Sequence, residues 1–276
     1  MIAGKVAKTG AWGHRLVQCA VLFLSVFSAS HSYAGQDCGE RAAPTPQALA
    51  RGLQLGEQTL EQLERSGASM AFVARIGLNL SEFNQRFTHM GVALRDHVRN
   101  RWQVVHLLNP CGKSQSEILL QPLEKFYEVD LYEYEALVVV PSQARQAMLR
   151  NAFLNPVRAR VLHAPAYNMI AHPFDTRFQN SNQWILEMIA LGLDERQMVS
   201  NRRQAQAWLK AQAYEPGTIR ISNLRRTGAR LFSPHVSFAD HTQEEYENQR
   251  YWVVTVDSTV RLLGSLDAGL KQFTVR

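Results

Sequence analysis

Two side chains in this sequence have the type and setting for nucleophilic catalysis. His89 lies in the alternating string Phe87-Thr88-His89-Met90-Gly91-Val92, and Ser181 in Phe178-Gln179-Asn180-Ser181-Asn182-Gln183-Trp184. Such chemistry needs an attacking group that can lose a proton, a base in reach of that proton, and a group that orients the base. A helix start suits the nucleophile, because its unpaired N–H groups and positive dipole end stabilise developing negative charge. A strand suits the base, because it fixes the direction of the imidazole. Each residue also has a plainer reading. Ser181 is an ordinary helix-cap residue, beside Asn180 and Gln183 in a capping-box-like pair, and His89 is a hydrogen-bonded but inert histidine.

Other candidate chemistry is weaker. Glu133 and Glu135 are a carboxylate pair, but charges beside a strand usually face water. His163, His172, His235 and His241 show no zinc spacing. Ser66-Gly67 and Gly112-Lys113 do not make a phosphate loop. No metal or cofactor is expected, and the Trp184, Ile185, Met188 and Ile189 face reads as core.

The elements that must position His89 and Ser181 follow from periodicity. Leu49, Leu53, Leu60 and Leu63 keep helical spacing from about Thr45 to Arg65, and Ser66-Gly67 stops that helix. Ser69–Ile76 reads as a strand, and Ser81–Gln85 as a polar turn. Phe87–Arg95 alternates, with Phe87, His89, Gly91 and Ala93 on one face and Thr88, Met90, Val92 and Leu94 on the other. Arg101–Leu108 is an antiparallel partner after the turn Asp96–Asn100. Ala136–Val140 is a third strand, Ser142 caps a helix to about Leu154, and Tyr167–Arg177 is irregular. Helices are expected from about Ser181 to Leu191 and from Asn201 to Ala211. Thr218–Ile221 and Tyr251–Val256 read as strands, and Asp257 as the cap of a last helix through Leu266. The order implies an α+β fold with a mainly antiparallel sheet.

At the His89 strand the chain resembles the circularly permuted papain-like proteins: NlpC-type cell-wall peptidases, their lipid-acting relatives and lecithin–retinol acyltransferase. In that group a histidine-x-glycine strand comes first, a polar residue on the next strand follows, and a cysteine at a helix start comes last. The resemblance implies a papain-like antiparallel sheet packed with helices, and places Ser181 where the group has cysteine. It implies His106 as the polar partner, with Gln103 as second choice. The Ser181 N–H and the Gln179 side chain are the candidate oxyanion donors. More narrowly, Arg65-Ser66-Gly67-Ala68, the His89 strand, Asn109-Pro110-Cys111 and Phe178–Trp184 resemble a bacterial family known as domain of unknown function 2145. A serine departs from the papain-like pattern. A thiol of pKa ~8.5 is readily ionised by a neighbouring imidazolium, whereas a hydroxyl must lose its proton during attack. The resemblance thus implies a hydrolase or acyltransferase on amide or ester bonds of the cell envelope, or an inactive relative. The alternative is a non-catalytic periplasmic binding or assembly module that holds an envelope ligand or protein.

The N-terminus reads as an export signal. Lys5, Lys8, His14 and Arg15 precede the apolar run Leu16–Phe27, and Ser32-Tyr33-Ala34 offers small residues for cleavage after Ala34. The run is shorter than the ~20 residues that span a bilayer, and no later stretch is longer. Residues 35–276 are expected to be one globular domain, periplasmic or secreted. The formal charge of +6 falls by three when Lys5, Lys8 and Arg15 leave. The remaining basic residues are scattered and not interleaved with aromatics, which argues against nucleic-acid binding. Cys38 and Cys111 remain after cleavage, an even count that suggests a disulfide in an oxidising compartment. Closing so long a loop contributes roughly 4 kcal/mol.

Overall fold

Why the longer strands and helices form is visible in local sequence, and how they layer follows from which faces are apolar. The structure is a computed structural model that describes residues 44–276 apart from 111–112, 130 and 233–234. The expected signal segment and both cysteines of the expected disulfide, Cys38 and Cys111, lie outside the described residues.

The first helix, α1, runs Pro46–Ser66. Thr45 caps it by accepting from the Ala48 N–H, and Gly67 ends it in the left-handed region at φ 66°. Then follow β1 (Met70–Ile76), a 3₁₀ turn at Ser81–Phe83, β2 (His89–Asp96), β3 (Arg101–Leu108), β4 (Glu117–Pro122), α2 (Leu123–Tyr127) and β5 (Glu133–Val140). The second half contains α3 (Gln143–Leu154), α4 (Pro156–Val161), α5 (Ser181–Leu193), α6 (Arg202–Ala211), β6 (Gly217–Arg220), α7 (Asn223–Phe232), α8 (Gln243–Asn248), β7 (Arg250–Val253), α9 (Val256–Leu266) and β8 (Lys271–Val275).

Six strands form one antiparallel sheet in the order β4-β3-β2-β1-β5-β8, and β6 pairs with β7 separately. Alternation sends the strand side chains into two layers. Ala71, Val73, Ala93 and Val104 pack with Leu55 and Leu63 of α1 and Phe126 and Tyr127 of α2. Phe72, Met90, Val92, Leu94 and Val105 pack with Leu149 and Phe153 of α3 and Trp184, Ile185 and Met188 of α5. The central strand β1 is buried along its whole length. A third cluster under β6–β7 joins Ile170, Ile219, Phe238 and Tyr251.

Several sequence expectations need correction. Phe87 does not share the His89 face, because it precedes the strand and packs into the layer of Met90 and Val92. The strand expected over Tyr251–Val256 stops at Val253, and Thr255 rather than Asp257 caps α9, through a reciprocal pair with Ser258. Glu133 and Glu135 lie on β5 itself, and Glu135 is buried between Arg86 and Arg276 at 2.9 and 2.6 Å. The sequence reading contains neither the short elements β4, α2, α4, α8 and β8, which at five or six residues are too short to show a period, nor the ten-residue helix α7.

One buried ion pair ties α5 to α6 and to the segment that precedes the helix. Glu187 is fully buried and accepts from Arg202 Nε at 2.8 Å, Gln206 Nε2 at 2.9 Å and Gln179 Nε2 at 2.6 Å. Arg202 also donates to the carbonyls of Thr176 and Phe178. Deleting one partner strands the other charge in the core, a loss of about 3–5 kcal/mol. Glu187→Ala is therefore expected to lower the urea midpoint sharply, and a loss within ~0.5 kcal/mol would contradict this role.

Candidate active site

Histidine-x-glycine on β2 has a physical reason in the packing. A Cβ on Gly91 would stand 2.5 Å from Val104 Cγ1, 3.1 Å from Phe126 and 3.4 Å from His106 Cβ. Only glycine lets β3 and α2 bring the His106 ring beside His89. The β2–β3 ladder begins at Val92↔Val105, so β2 has no ladder partner on that side from Gly91 back to His89. The N-terminal end of α5 packs there, against both strands.

The Asn182 side chain makes the join. Its Oδ1 accepts from the Met90 N–H at 3.1 Å, and its Nδ2 donates to the Thr88 carbonyl at 3.3 Å. A primary amide thus takes the place of a missing strand on either side of His89. Asn180, not Ser181, is the helix cap. It accepts from the Gln183 N–H at 2.7 Å, and Gln183 Oε1 accepts in return from the Asn180 N–H at 3.4 Å. Gln183 Nε2 reaches the carbonyls of His172 and Pro173. Capping is complete without the serine hydroxyl, which is free to meet another group.

That group is His89. Its Nδ1 lies 3.2 Å from Ser181 Oγ, and its Nε2 lies 2.9 Å from His106 Nδ1. The two residues singled out in sequence are therefore in hydrogen-bond contact, with His106 as the third member. Gln103, the second choice, lies opposite Leu94 and so on the other face of the sheet. The His89 ring stacks on Phe126 at 5.7 Å, and His106 meets the same ring edge-on at 5.3 Å.

Gln179 does not serve as the oxyanion donor expected of it. Its side chain is buried, and its two N–H bonds go to the Leu162 carbonyl at 2.8 Å and to Glu187. No hydrogen remains for a ligand. The Tyr167 hydroxyl instead lies against Ser181, and burial pushes that phenol up to about 12, so it stays a donor at neutral pH. A bridge between Tyr167 and Gln179 places it there.

Arg75 sets the electrostatics. It is the register partner of His89 on β1, so both point to one face. Its guanidinium lies 4.6 Å over the Phe126 ring and donates to the Phe126 carbonyl. Burial, then Arg75, then His106 hold the His89 imidazole well below its ordinary value. Burial and then Arg75 bring His106 down to about 3, with Gln121 acting weakly the other way. Both rings are neutral at neutral pH. If His89 Nδ1 accepts from Ser181, its proton sits on Nε2 and goes to His106 Nδ1. His106 then carries its own proton on Nε2, the buried ring nitrogen away from His89.

Arg75, Phe126, Tyr167 and Asn182 join the site through tertiary contacts alone. Arg75 had left a signal, as the lone charge in an apolar strand. The remaining histidines lie elsewhere. His172 and His241 flank Glu245 at 3.7 and 3.2 Å. His163 meets Ser116 at 3.1 Å. Among the described residues no group of three His, Cys, Asp or Glu is arranged to hold a metal ion.

The family described as an uncharacterized protein conserved in bacteria (DUF2145) matches residues 62–263. No curated protein and no solved structure matches the chain.

Two outcomes are expected from this geometry. Asn182→Ala leaves a β2 N–H and a carbonyl unpaired, and should cost about 1–3 kcal/mol in urea unfolding. Both imidazoles have lowered folded pKa values, so the unfolded chain binds more protons below pH 6.5. The stability they contribute is full above that pH and is lost as pH falls toward about 3. Urea midpoints at pH 7 and pH 5 should show that drop, and His106→Gln should shrink it.

Proposed function

We propose an acyl-transfer function for this chain, which belongs to the DUF2145 family: cleavage or transfer at amide or ester bonds, with Ser181 as nucleophile and His89 as base. The single observation that carries the proposal is the Ser181 Oγ–His89 Nδ1 distance of 3.2 Å at the first turn of a capped helix, with His106 on the far side of the imidazole. In this reading Ser181 Oγ bonds to the substrate carbonyl carbon while its proton passes to His89 Nδ1. The Ser181 N–H at the helix start and the Tyr167 hydroxyl face the oxyanion. His89 returns the proton to the leaving amine or alcohol. Water, or a second alcohol or amine, then releases the acyl group.

The same reading assigns the chain a papain-like, circularly permuted architecture. Chain order supports it: the base on β2, its partner on β3, and the nucleophile at the start of a later helix that packs on both strands. Export to the periplasm or beyond, and a cell-envelope substrate, belong to the same proposal. They rest on the N-terminal sequence and on the resemblance of the motifs.

One observation favours the second reading, a binding module without turnover. Arg75 and burial disfavour the imidazolium that His89 must become during attack. Labelling separates the two. A fluorophosphonate probe is expected to modify the protein, to fail on Ser181→Ala, and to react roughly 100-fold more slowly with His89→Ala. Because His89 stays neutral well below pH 6.5, the labelling rate should hold level between pH 7 and 6. Equal labelling of Ser181→Ala would refute the nucleophile assignment. No labelling of the parent protein would favour the binding module.

A further inference from the structure

The elbow between α3 and α4 has a chemistry that the acyl-transfer site does not use. Leu154, Val157 and Val161 are 53, 68 and 51 % exposed, and Met198 on the neighbouring loop is 67 % exposed. Val157 and Val161 line an open groove of about 580 Å³ whose wall also includes Arg158, Leu191, Val199 and the carboxylates Asp194 and Glu195; Asp194 accepts from the Val199 N–H and Glu195 from Arg145. Exposed valines on the wall of such a groove offer apolar surface to a partner.

Charge identifies the partner. The stretch from Ala136 to Phe174 contains no aspartate or glutamate. Of its arginines, Arg145 is paired with Glu195 at 3.3 Å, and Arg150 donates to the carbonyls of Ser69 and Arg95. Arg158 and Arg160 remain exposed on α4, interleaved with Val157 and Val161. Short aliphatic side chains beside exposed guanidinium groups suit an interface of acyl chains and phosphate headgroups, where apolar burial and attraction to anionic lipid act together.

The element is held rigidly enough to dock. Asn155 caps α4 through the N–H groups of Val157 and Arg158. Trp184 Nε1 of α5 donates to the Ala159 carbonyl at 3.2 Å, and Gln179 holds the Leu162 carbonyl. We infer that the α3–α4 elbow, through Leu154, Val157, Val161, Arg158 and Arg160, docks the protein on an anionic phospholipid surface. The two residues that hold α4, Gln179 and Trp184, flank Ser181 in the chain, so docking brings that helix start toward the bilayer.

Sedimentation with sucrose-loaded vesicles tests this. The protein should sediment with mixed phosphatidylglycerol–phosphatidylcholine vesicles, much less with phosphatidylcholine alone, and less as salt rises. Arg158→Gln with Arg160→Gln should weaken binding roughly 30-fold, and Val157→Ser with Val161→Ser roughly tenfold. All four positions are exposed, and unchanged circular dichroism and urea midpoints would show the fold is kept. Ser181→Ala should bind as the parent does, so this result is independent of the catalytic proposal. No sedimentation with the anionic vesicles, or binding by both double variants equal to that of the parent, would overturn the inference.

Discussion

An amide side chain standing in for a strand is the constraint on which the rest of the site depends. Where β2 and β3 separate, β2 exposes a backbone N–H and carbonyl that a sheet would normally pair. Asn182 satisfies both. Buried backbone groups are costly when unpaired, so this contact fixes the height and rotation of α5 against β2. His89 lies between the two bonded residues, and Ser181 directly precedes Asn182. The imidazole–hydroxyl distance is thus a consequence of backbone satisfaction, not of attraction between the two side chains.

Support for the helix start extends outward in the same currency of satisfied polar groups. Asn180 and Gln183 close the cap and anchor it to the carbonyls of Met169, Val254, His172 and Pro173. Gln179 is held by Leu162, by Glu187 and by the Ala164 N–H. Each polar residue from 179 to 183 except Ser181 has its donors or acceptors committed to structure. A polar string that leaves one hydroxyl to its base and its neighbouring phenol is what a preorganised nucleophile requires, and it also explains why so polar a sequence is almost wholly buried.

The electrostatics act in two directions. Burial first, and then the Arg75 cation beside the two imidazoles, keep both neutral, and a base must be neutral to accept a proton. The same cation raises the energy of the imidazolium formed during attack. In a cysteine site this would oppose a resting ion pair. With serine, whose resting state is uncharged, the two features agree with each other. The Tyr167 phenol fits the pattern, since burial keeps its proton in place as a donor.

Periodicity and end signals in the chain were enough to determine most long elements within a few residues, the antiparallel character of the sheet, and the His89 and Ser181 candidates, because alternation, capping and glycine stops are local properties; His106 came from the resemblance of the motifs. Short elements such as β4 and α4 were not legible, since a few apolar residues carry no period. Tertiary structure alone decided that Gln179 faces a buried glutamate, that Gln103 lies on the wrong face, that Asn182 spans a gap in the sheet, and that Arg75 sets the charge of the site. Each of those facts depends on which distant backbone or side-chain atom stands within about 3 Å, and no local pattern encodes that distance.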